Sequence, residues 1–227
     1  MPSVKILALE TSTDFCSVSL LVGEDIHSTG ENAGQKHSEL LLPMVDEVLR
    51  GAGLAVSDLD AIAFGAGPGS FTGLRIACGV AQGLAFSVDG RCIPVGSLEA
   101  LAQASGGSRV VACTDARMGQ VYHAAFERNG TDWREVLSPS LCSPDDLPEL
   151  PGGGWLGCGS GFDRYPQIMD GAYRSEVEQV RTGMLPHARE IALLGARYLA
   201  AGRSVPSAEA APAYVRNKVA LTMKEQA

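Results

Sequence analysis

Two stretches of the sequence carry the same succession of strand and helix patterns. In the first stretch, three short apolar runs predict a meander of strands, and helical and strand patterns then alternate. The predicted elements read strand, strand, strand, helix, strand, helix and strand at residues 4–10, 16–22, 26–31, 40–50, 60–64, 72–88 and 91–95. Pro43 is expected to bend the first helix near its start, and Ser97 to cap a further short helix. This order predicts an α/β fold.

The second stretch repeats this order more loosely. It follows a hinge rich in glycine and serine at residues 104–108. Its predicted strands lie at residues 110–115, 121–127, 133–137 and 155–158, with a helix starting at Ser143 and an amphipathic helix at 185–201. We therefore predict two similar α/β lobes, at residues 1–104 and 105–204, with the tail at 205–227 packing back on the first.

Charge and cysteine content restrict the partners and the compartment. The formal net charge of the 227-residue chain is -8, so its average surface potential repels phosphate and disfavours tight, direct RNA binding. A local basic patch in the last quarter of the sequence stays open. The 6 cysteines are spread singly, which suits a reducing compartment. Since no run resembles a signal peptide or a membrane span, we expect a cytoplasmic protein with no membrane contact.

A glycine-rich segment at residues 65–75 lies between a predicted strand and a long predicted helix. Free amides at the start of a helix can bind an anion, and Ser70 and Thr72 are available as caps. The spacing matches neither the P-loop, which ends in lysine followed by serine or threonine, nor the dinucleotide pattern, which needs glycine where Ser70 stands. The segment is therefore either a phosphate-binding loop or a structural turn.

The helix at residues 72–88 contains Gly79 and Gly83 in its interior, and each glycine costs a helix roughly 1 kcal/mol relative to alanine. This cost indicates that another element packs very close, either within the same lobe or from a partner chain. The preceding helix presents apolar residues on more than one side, which favours a partner. The candidate interface residues are Leu40, Leu41, Met44, Ala77, Val80, Ala81 and Leu84.

Polar residues end the first predicted strand of each lobe. Glu10, Thr11 and Ser12 end one, and Asp115 ends the other. Mirror-related carboxylates could face a shared cleft and hold Mg²⁺ around nucleotide phosphates, as a kinase or ATPase would require. Such residues are also common turn formers. Since no two of the 4 histidines have metal-binding spacing, we expect no metal site, no cofactor and no catalytic residue.

Several motifs in this sequence resemble the TsaB family, part of the bacterial machinery that makes threonylcarbamoyladenosine in tRNA. The motifs are ILALETS at 6–12, KHSELLLP at 36–43, GPGSFTGLR at 67–75, TDAR at 114–117, GCGSG at 157–161 and PAYVR at 212–216. The resemblance implies an actin-like, Hsp70-like fold with duplicated βββαβα lobes. It also implies an inactive relative of the catalytic subunit TsaD, whose HisXaaXaaXaaHis metal motif would correspond here to His37 and Leu41.

The resemblance further implies the partners. Family members pair with TsaD through the two helices of the first lobe, join the ATPase TsaE in the complex, and self-associate through the same surface when alone. We therefore expect a non-catalytic partner subunit that meets tRNA only through the complex. The competing hypotheses are an actin-like ATPase or kinase that uses Glu10 and Asp115, and a metallopeptidase, which would need a bound metal ion.

Overall fold

Two mixed β-sheets with one shared strand order form the framework of the structure, which is a computed structural model describing residues 3–215. The strands of the first sheet are β1 (Lys5–Glu10), β2 (Phe15–Val22), β3 (Asp25–Asn32), β4 (Ala61–Gly67) and β5 (Arg91–Gly96). Those of the second are β6 (Arg109–Asp115), β7 (Val121–Asn129), β8 (Asp132–Cys142), β9 (Trp155–Cys158) and β10 (Val177–Arg181).

The two sheets have equivalent topology. Apart from a short sixth strand that pairs with β5, the first runs β5-β4-β1-β2-β3, and the second runs β10-β9-β6-β7-β8. In each, three antiparallel strands form a meander, and two later strands join its first strand in parallel. The duplicated fold predicted from the element order is therefore confirmed, and the order is that of the actin-like proteins.

In the described part of the chain, six α-helices accompany the sheets: α1 (His37–Ala52), α2 (Phe71–Ser87), α3 (Ser97–Ser105), α4 (Ser160–Arg164), α5 (Gln167–Asp170) and α6 (Ala188–Ala200). α1 and α2 cover one face of the first sheet and enclose an aliphatic core. α6 covers the opposite face, while α3 packs against both α6 and β6. These two helices therefore form a layer between the sheets that buries apolar surface from both lobes.

Three local predictions differ from the structure. Gly96, not Ser97, is the N-cap of α3, because the Ser97 hydroxyl donates to Glu10 instead. No helix forms at Ser143, where only a turn closes through a hydrogen bond from Asp146 N to the Ser143 carbonyl oxygen. α1 begins at His37, before its apolar period, and continues through Pro43.

The segment after α6 returns to the first sheet. A short strand, β11 (Val205–Pro206), pairs antiparallel with β5. Gln82 of α2 donates a hydrogen bond to the Ala210 carbonyl oxygen at 2.9 Å, and Ala213 N donates to the Ala66 carbonyl oxygen at 2.8 Å. Residues 205–213 therefore lie across α2 and β4. Residues 216–227 of the predicted tail lie outside the described residues. Within residues 3–215, no helix is both long and apolar enough to span a bilayer.

His123 on β7 is an ionisable side chain in the core of the second lobe. It is fully buried, and its Nε2 forms a hydrogen bond with the Tyr173 hydroxyl oxygen. The single proton of that hydroxyl is donated to the Pro148 carbonyl oxygen at 2.9 Å. Burial lowers the pKa of His123 from 6.5 to about 4. The folded protein therefore keeps this imidazole neutral over a range of pH in which the unfolded chain protonates it.

The buried histidine makes stability depend on pH. Because the folded pKa is depressed, the unfolded chain binds more protons between pH 6.5 and pH 4, and stability falls as the pH drops through that window. We expect His123 alone to lower the free energy of unfolding by about 2 kcal/mol between pH 7 and pH 5. The His123→Gln variant keeps hydrogen-bonding atoms but does not titrate. Urea denaturation of both proteins at the two pH values should show a smaller loss in the variant, and equal losses would contradict this prediction.

Candidate functional site

The glycine-rich segment packs directly on the turn that follows β1. A Cβ atom at Gly73 would lie 1.9 Å from the Thr11 carbonyl oxygen, and one at Gly69 would lie 2.5 Å from the Ser12 Cβ. A Cβ at Gly65 would lie 2.1 Å from a Glu10 carboxylate oxygen. The glycines at 65, 69 and 73 therefore make room for three consecutive residues, the last of β1 and the first two of the β1–β2 connection. The sequence shows the even spacing of these glycines, but it does not show that all three pack against residues 10–12.

Hydrogen bonds hold this contact together. Ser70 N donates to the Ser12 carbonyl oxygen at 2.7 Å, and the Thr11 hydroxyl donates to the Gly73 carbonyl oxygen at 2.7 Å. Ser70 is the N-cap of α2, since its hydroxyl accepts from Gly73 N. These internal bonds occupy groups that a phosphate-binding loop would present to a ligand. The structure thus favours the structural turn among the two interpretations of the segment.

Glu10 lies in the core rather than in a cleft. Its carboxylate is fully buried and accepts hydrogen bonds from Ser12 N at 2.6 Å and from the Ser97 hydroxyl at 3.0 Å. Burial raises the pKa of Glu10, and the hydrogen bonds from Ser12 and Ser97 oppose this rise only in part. The expectation that Glu10 and Asp115 face a shared cleft is therefore wrong, because Glu10 is directed towards Gly65 and the start of α3.

The raised pKa of Glu10 gives a second prediction. The folded state holds its proton more tightly than the unfolded chain, so stability declines as the pH rises above 4.5 through the folded pKa. We expect Glu10→Gln to be at least as stable as the parent protein at pH 8, because it removes a buried charge and keeps polar atoms beside Ser12 and Ser97. Thermal unfolding at pH 5 and pH 8 measures this difference. A large loss of stability at pH 8 would show that the ionised carboxylate is required.

Asp115 lies in a cleft of about 730 Å³ between the two lobes. It accepts hydrogen bonds from the Tyr165 hydroxyl at 3.1 Å and from Arg117 N at 2.9 Å. The Arg117 guanidinium donates across the cleft to Asp14 at 3.0 Å. This bond links the turn after β1 to the turn after β6. Ser12 also lines this cleft, although it is nearly buried, whereas Thr11 is fully buried and does not line it. The cleft therefore brings together only Ser12 and Asp115 of the four predicted nucleotide-binding residues.

His37 and Leu41, at the positions that correspond to the HisXaaXaaXaaHis motif, make structural contacts in this chain. His37 is buried, and its Nε2 is hydrogen-bonded to the Thr13 carbonyl oxygen at 2.8 Å, which fixes the β1–β2 connection against α1. Leu41 is fully buried in the core beneath α1. Among residues 3–215, no group of three or more histidine, cysteine or acidic side chains is arranged to hold a metal ion.

The candidate interface residues divide into two groups. Four of them, Leu41, Met44, Ala77 and Ala81, have side chains buried in the core of the first lobe. A partner cannot reach these four in this conformation, so their assignment to an interface needs correction. The other three, Leu40, Val80 and Leu84, are partly exposed. The 3.6-residue period of a helix predicts which residues lie on one face. It does not show which residues at the edges of that face are covered by the core.

The outer surface of α1 and α2 carries apolar groups that the interface prediction missed. Leu42 is 51% exposed and Phe86 is 80% exposed. Gly79 and Gly83 also lie on this surface, and a Cβ added at either would meet nothing within 4 Å. Within residues 3–215, therefore, no element of the same lobe packs closely on these two glycines. We call Leu42, Ile76, Gly79, Val80, Gly83 and Phe86 the helical face.

Comparisons with known proteins agree with this architecture. A family model described as TsaD, a tRNA N6-adenosine threonylcarbamoyltransferase, matches residues 25–170. A tRNA threonylcarbamoyladenosine biosynthesis protein TsaB from Haemophilus influenzae is 38% identical over 96% of this chain and 96% of its own length. The Escherichia coli protein of the same name is 35% identical, again over 96% of each chain.

Two solved structures are also similar to this chain over nearly its whole length. A solved structure of YeaZ from Pseudomonas aeruginosa is 38% identical and superposes with a TM-score of 0.86, covering 93% of this chain and 99% of that one. A second structure from the same organism, with a TM-score of 0.87, is described as similar to peptidase YeaZ.

The two equivalent sheets, the helical layer between them and the cleft define an actin-like α/β protein. The two relatives that match 96% of the chain identify the family within this class. The chain belongs to the TsaB family, a branch of the wider family that the TsaD model describes.

Proposed function

We propose that this chain acts in threonylcarbamoyladenosine biosynthesis as a non-catalytic partner subunit, which binds the transferase TsaD through the helical face. The observation that carries the proposal is the open surface over Gly79 and Gly83 of α2. Glycine in a solvent-exposed helix interior costs about 1 kcal/mol per residue. Within residues 3–215, no packing explains that cost, whereas the close approach of a partner's helix would.

The chemistry of the helical face supports docking. Leu42 and Phe86 expose large apolar side chains beside the bare backbone of the two glycines. Exposed apolar patches of this kind mark association sites, and aromatic residues are enriched among the residues that dominate binding energy. The same face is available to a second copy of this chain, which supports homodimer formation when TsaD is absent.

Two features of the described residues support the non-catalytic role. Leu41 stands where a second metal-binding histidine would be needed, and Glu10 is buried away from Asp115. We therefore place the transfer reaction on TsaD and expect TsaE to join the assembled complex. The net charge of -8 supports contact with tRNA through the complex rather than by this chain alone.

A transfer assay tests this role. We expect the purified chain, mixed with tRNA and an activated threonylcarbamoyl donor, to give no modified adenosine. Addition of TsaD and TsaE should produce modification that depends on this chain. Modified tRNA formed at enzymatic rates by the chain alone would overturn the proposal, and so would full activity of TsaD and TsaE without it.

A further inference from the structure

The edge of the first sheet lies beside a pocket that the proposed function does not use. In the described part of the chain, β3 pairs with β2 on one side only. Its other side therefore presents unpaired backbone N–H and C=O groups to solvent. A pocket of about 470 Å³ adjoins this edge, and Ser28, Thr29 and Gly30 of β3 contribute to its lining.

The pocket has a hydroxyl floor and largely apolar walls. Ser19 of β2 and Ser28 of β3 share a hydrogen bond of 2.8 Å, and the Ser17 hydroxyl accepts from Ala188 N at 3.0 Å. The walls are formed by Phe15, Ala104, Met184, Leu185 and His187. This combination suits an alkyl chain that ends in a polar group.

Glu190, in the first turn of α6, supplies the charge in this pocket. The residue is only 7% exposed, and one carboxylate oxygen accepts a hydrogen bond from the Arg189 guanidinium at 2.9 Å. Arg189 itself is largely exposed. Because an ionised carboxylate can accept about four hydrogen bonds, this single bond leaves capacity for another cationic donor. Such a donor would also offset the desolvation of the carboxylate.

The edge strand adds negative charge on its other face. β3 contains Asp25 and Glu31 and has no lysine or arginine. Glu47 of α1 reaches this strand, since it accepts a hydrogen bond from the Thr29 hydroxyl at 3.4 Å. A strand added beside β3 would therefore meet Glu190 on one face and Glu31 and Glu47 on the other. Basic side chains on either face of that strand would find carboxylates.

We infer that the β3 edge and its pocket bind an extended, lysine-containing segment of another polypeptide, which adds as a strand beside β3. Main-chain hydrogen bonds to β3 supply affinity, and the pocket selects one side chain. The alkyl stem of a lysine packs between the apolar walls, while its ammonium group donates to Glu190. This surface is distinct from the helical face, so it can be occupied while the chain is bound to another subunit.

Two matched peptides test this inference. The probe is the acetylated, amidated peptide Thr-Lys-Val-Lys-Val-Thr, and its counterpart has glutamate in place of both lysines. We expect the lysine peptide to give saturable NMR shift changes in the amides of residues 26–31 of the full-length protein, and the glutamate peptide to give none. Residues 132–142 form the corresponding edge of the second sheet and should not respond.

Variants separate the pocket from the edge. We expect Glu190→Gln to weaken binding of the lysine peptide about tenfold, through loss of a charge-assisted hydrogen bond. Ser28→Phe, at an exposed position, should block the pocket and weaken binding at least as much, while Glu149→Gln changes the same charge elsewhere and should have no effect. Equal binding of both peptides, shift changes on β8 instead of β3, or unchanged affinity in Glu190→Gln and Ser28→Phe would each overturn the inference.

Discussion

The Gly73→Ala variant is expected to lose about 4 kcal/mol or more of folding stability. Its Cβ would lie 1.9 Å from the Thr11 carbonyl oxygen, a backbone atom that cannot rotate away as a side chain can. The clash would separate α2 from the β1–β2 connection and break the hydrogen bond from the Thr11 hydroxyl to the Gly73 carbonyl oxygen. Urea denaturation followed by circular dichroism measures the loss.

The same helix provides a matched control. Gly79→Ala makes the same chemical change six residues later, where an added Cβ meets nothing within 4 Å. We expect this variant to gain roughly 0.5–1 kcal/mol, because alanine is the better helix former. Equal effects of the two substitutions would show that Gly73 is not a site of close approach.

Charge placed on the helical face is expected to weaken binding to TsaD at least about 100-fold, because a carboxylate would be desolvated at a packed interface. Leu42→Asp and Phe86→Asp are the informative variants, since both side chains are more than half exposed and the lobe should fold without them. Val80→Asp tests the same face at a partly exposed position. Isothermal titration calorimetry with purified TsaD measures the affinity.

One further variant controls for the position of the added charge, and another is excluded because it would unfold the lobe. Ala81→Asp is unsuitable as an interface test, because Ala81 is fully buried and a charge there would unfold the lobe. Met118→Asp introduces the same charge at a side chain 56% exposed beside the cleft. We expect it to bind TsaD normally. Normal binding by Phe86→Asp together with loss of binding by Met118→Asp would move the interface to the cleft.

The strand order was predictable where side chains alternate or form continuous apolar runs. β1, β2, β4, β6 and β7 are almost wholly buried, and their apolar residues marked them in the sequence. β10 was missed because this edge strand, VEQVR, buries only Val177. The sequence Ser-Pro-Asp-Asp at 143–146 has a helix-start composition, but no apolar period follows it, and only a turn forms.

The candidate site was predictable only in part because its decisive features are three-dimensional contacts. A glutamate at the end of a strand, such as Glu10, can lie either in a cleft or in the core. Only its contact with Gly65 in the folded structure shows that Glu10 lies in the core. The interior glycines of α2 predicted a surface on which another element packs closely, and none of the described residues packs there. Whether that surface is covered depends on the packing of α1 and α2 on the first sheet, which no local pattern encodes.

Hydrogen exchange of the chain with and without TsaD tests the central claim most directly. If the helical face is the docking surface, TsaD should slow amide exchange in α1 and α2, while the turn at residues 116–120 beside the cleft should exchange at its original rate. Protection confined to the cleft, with no change in α2, would contradict the account.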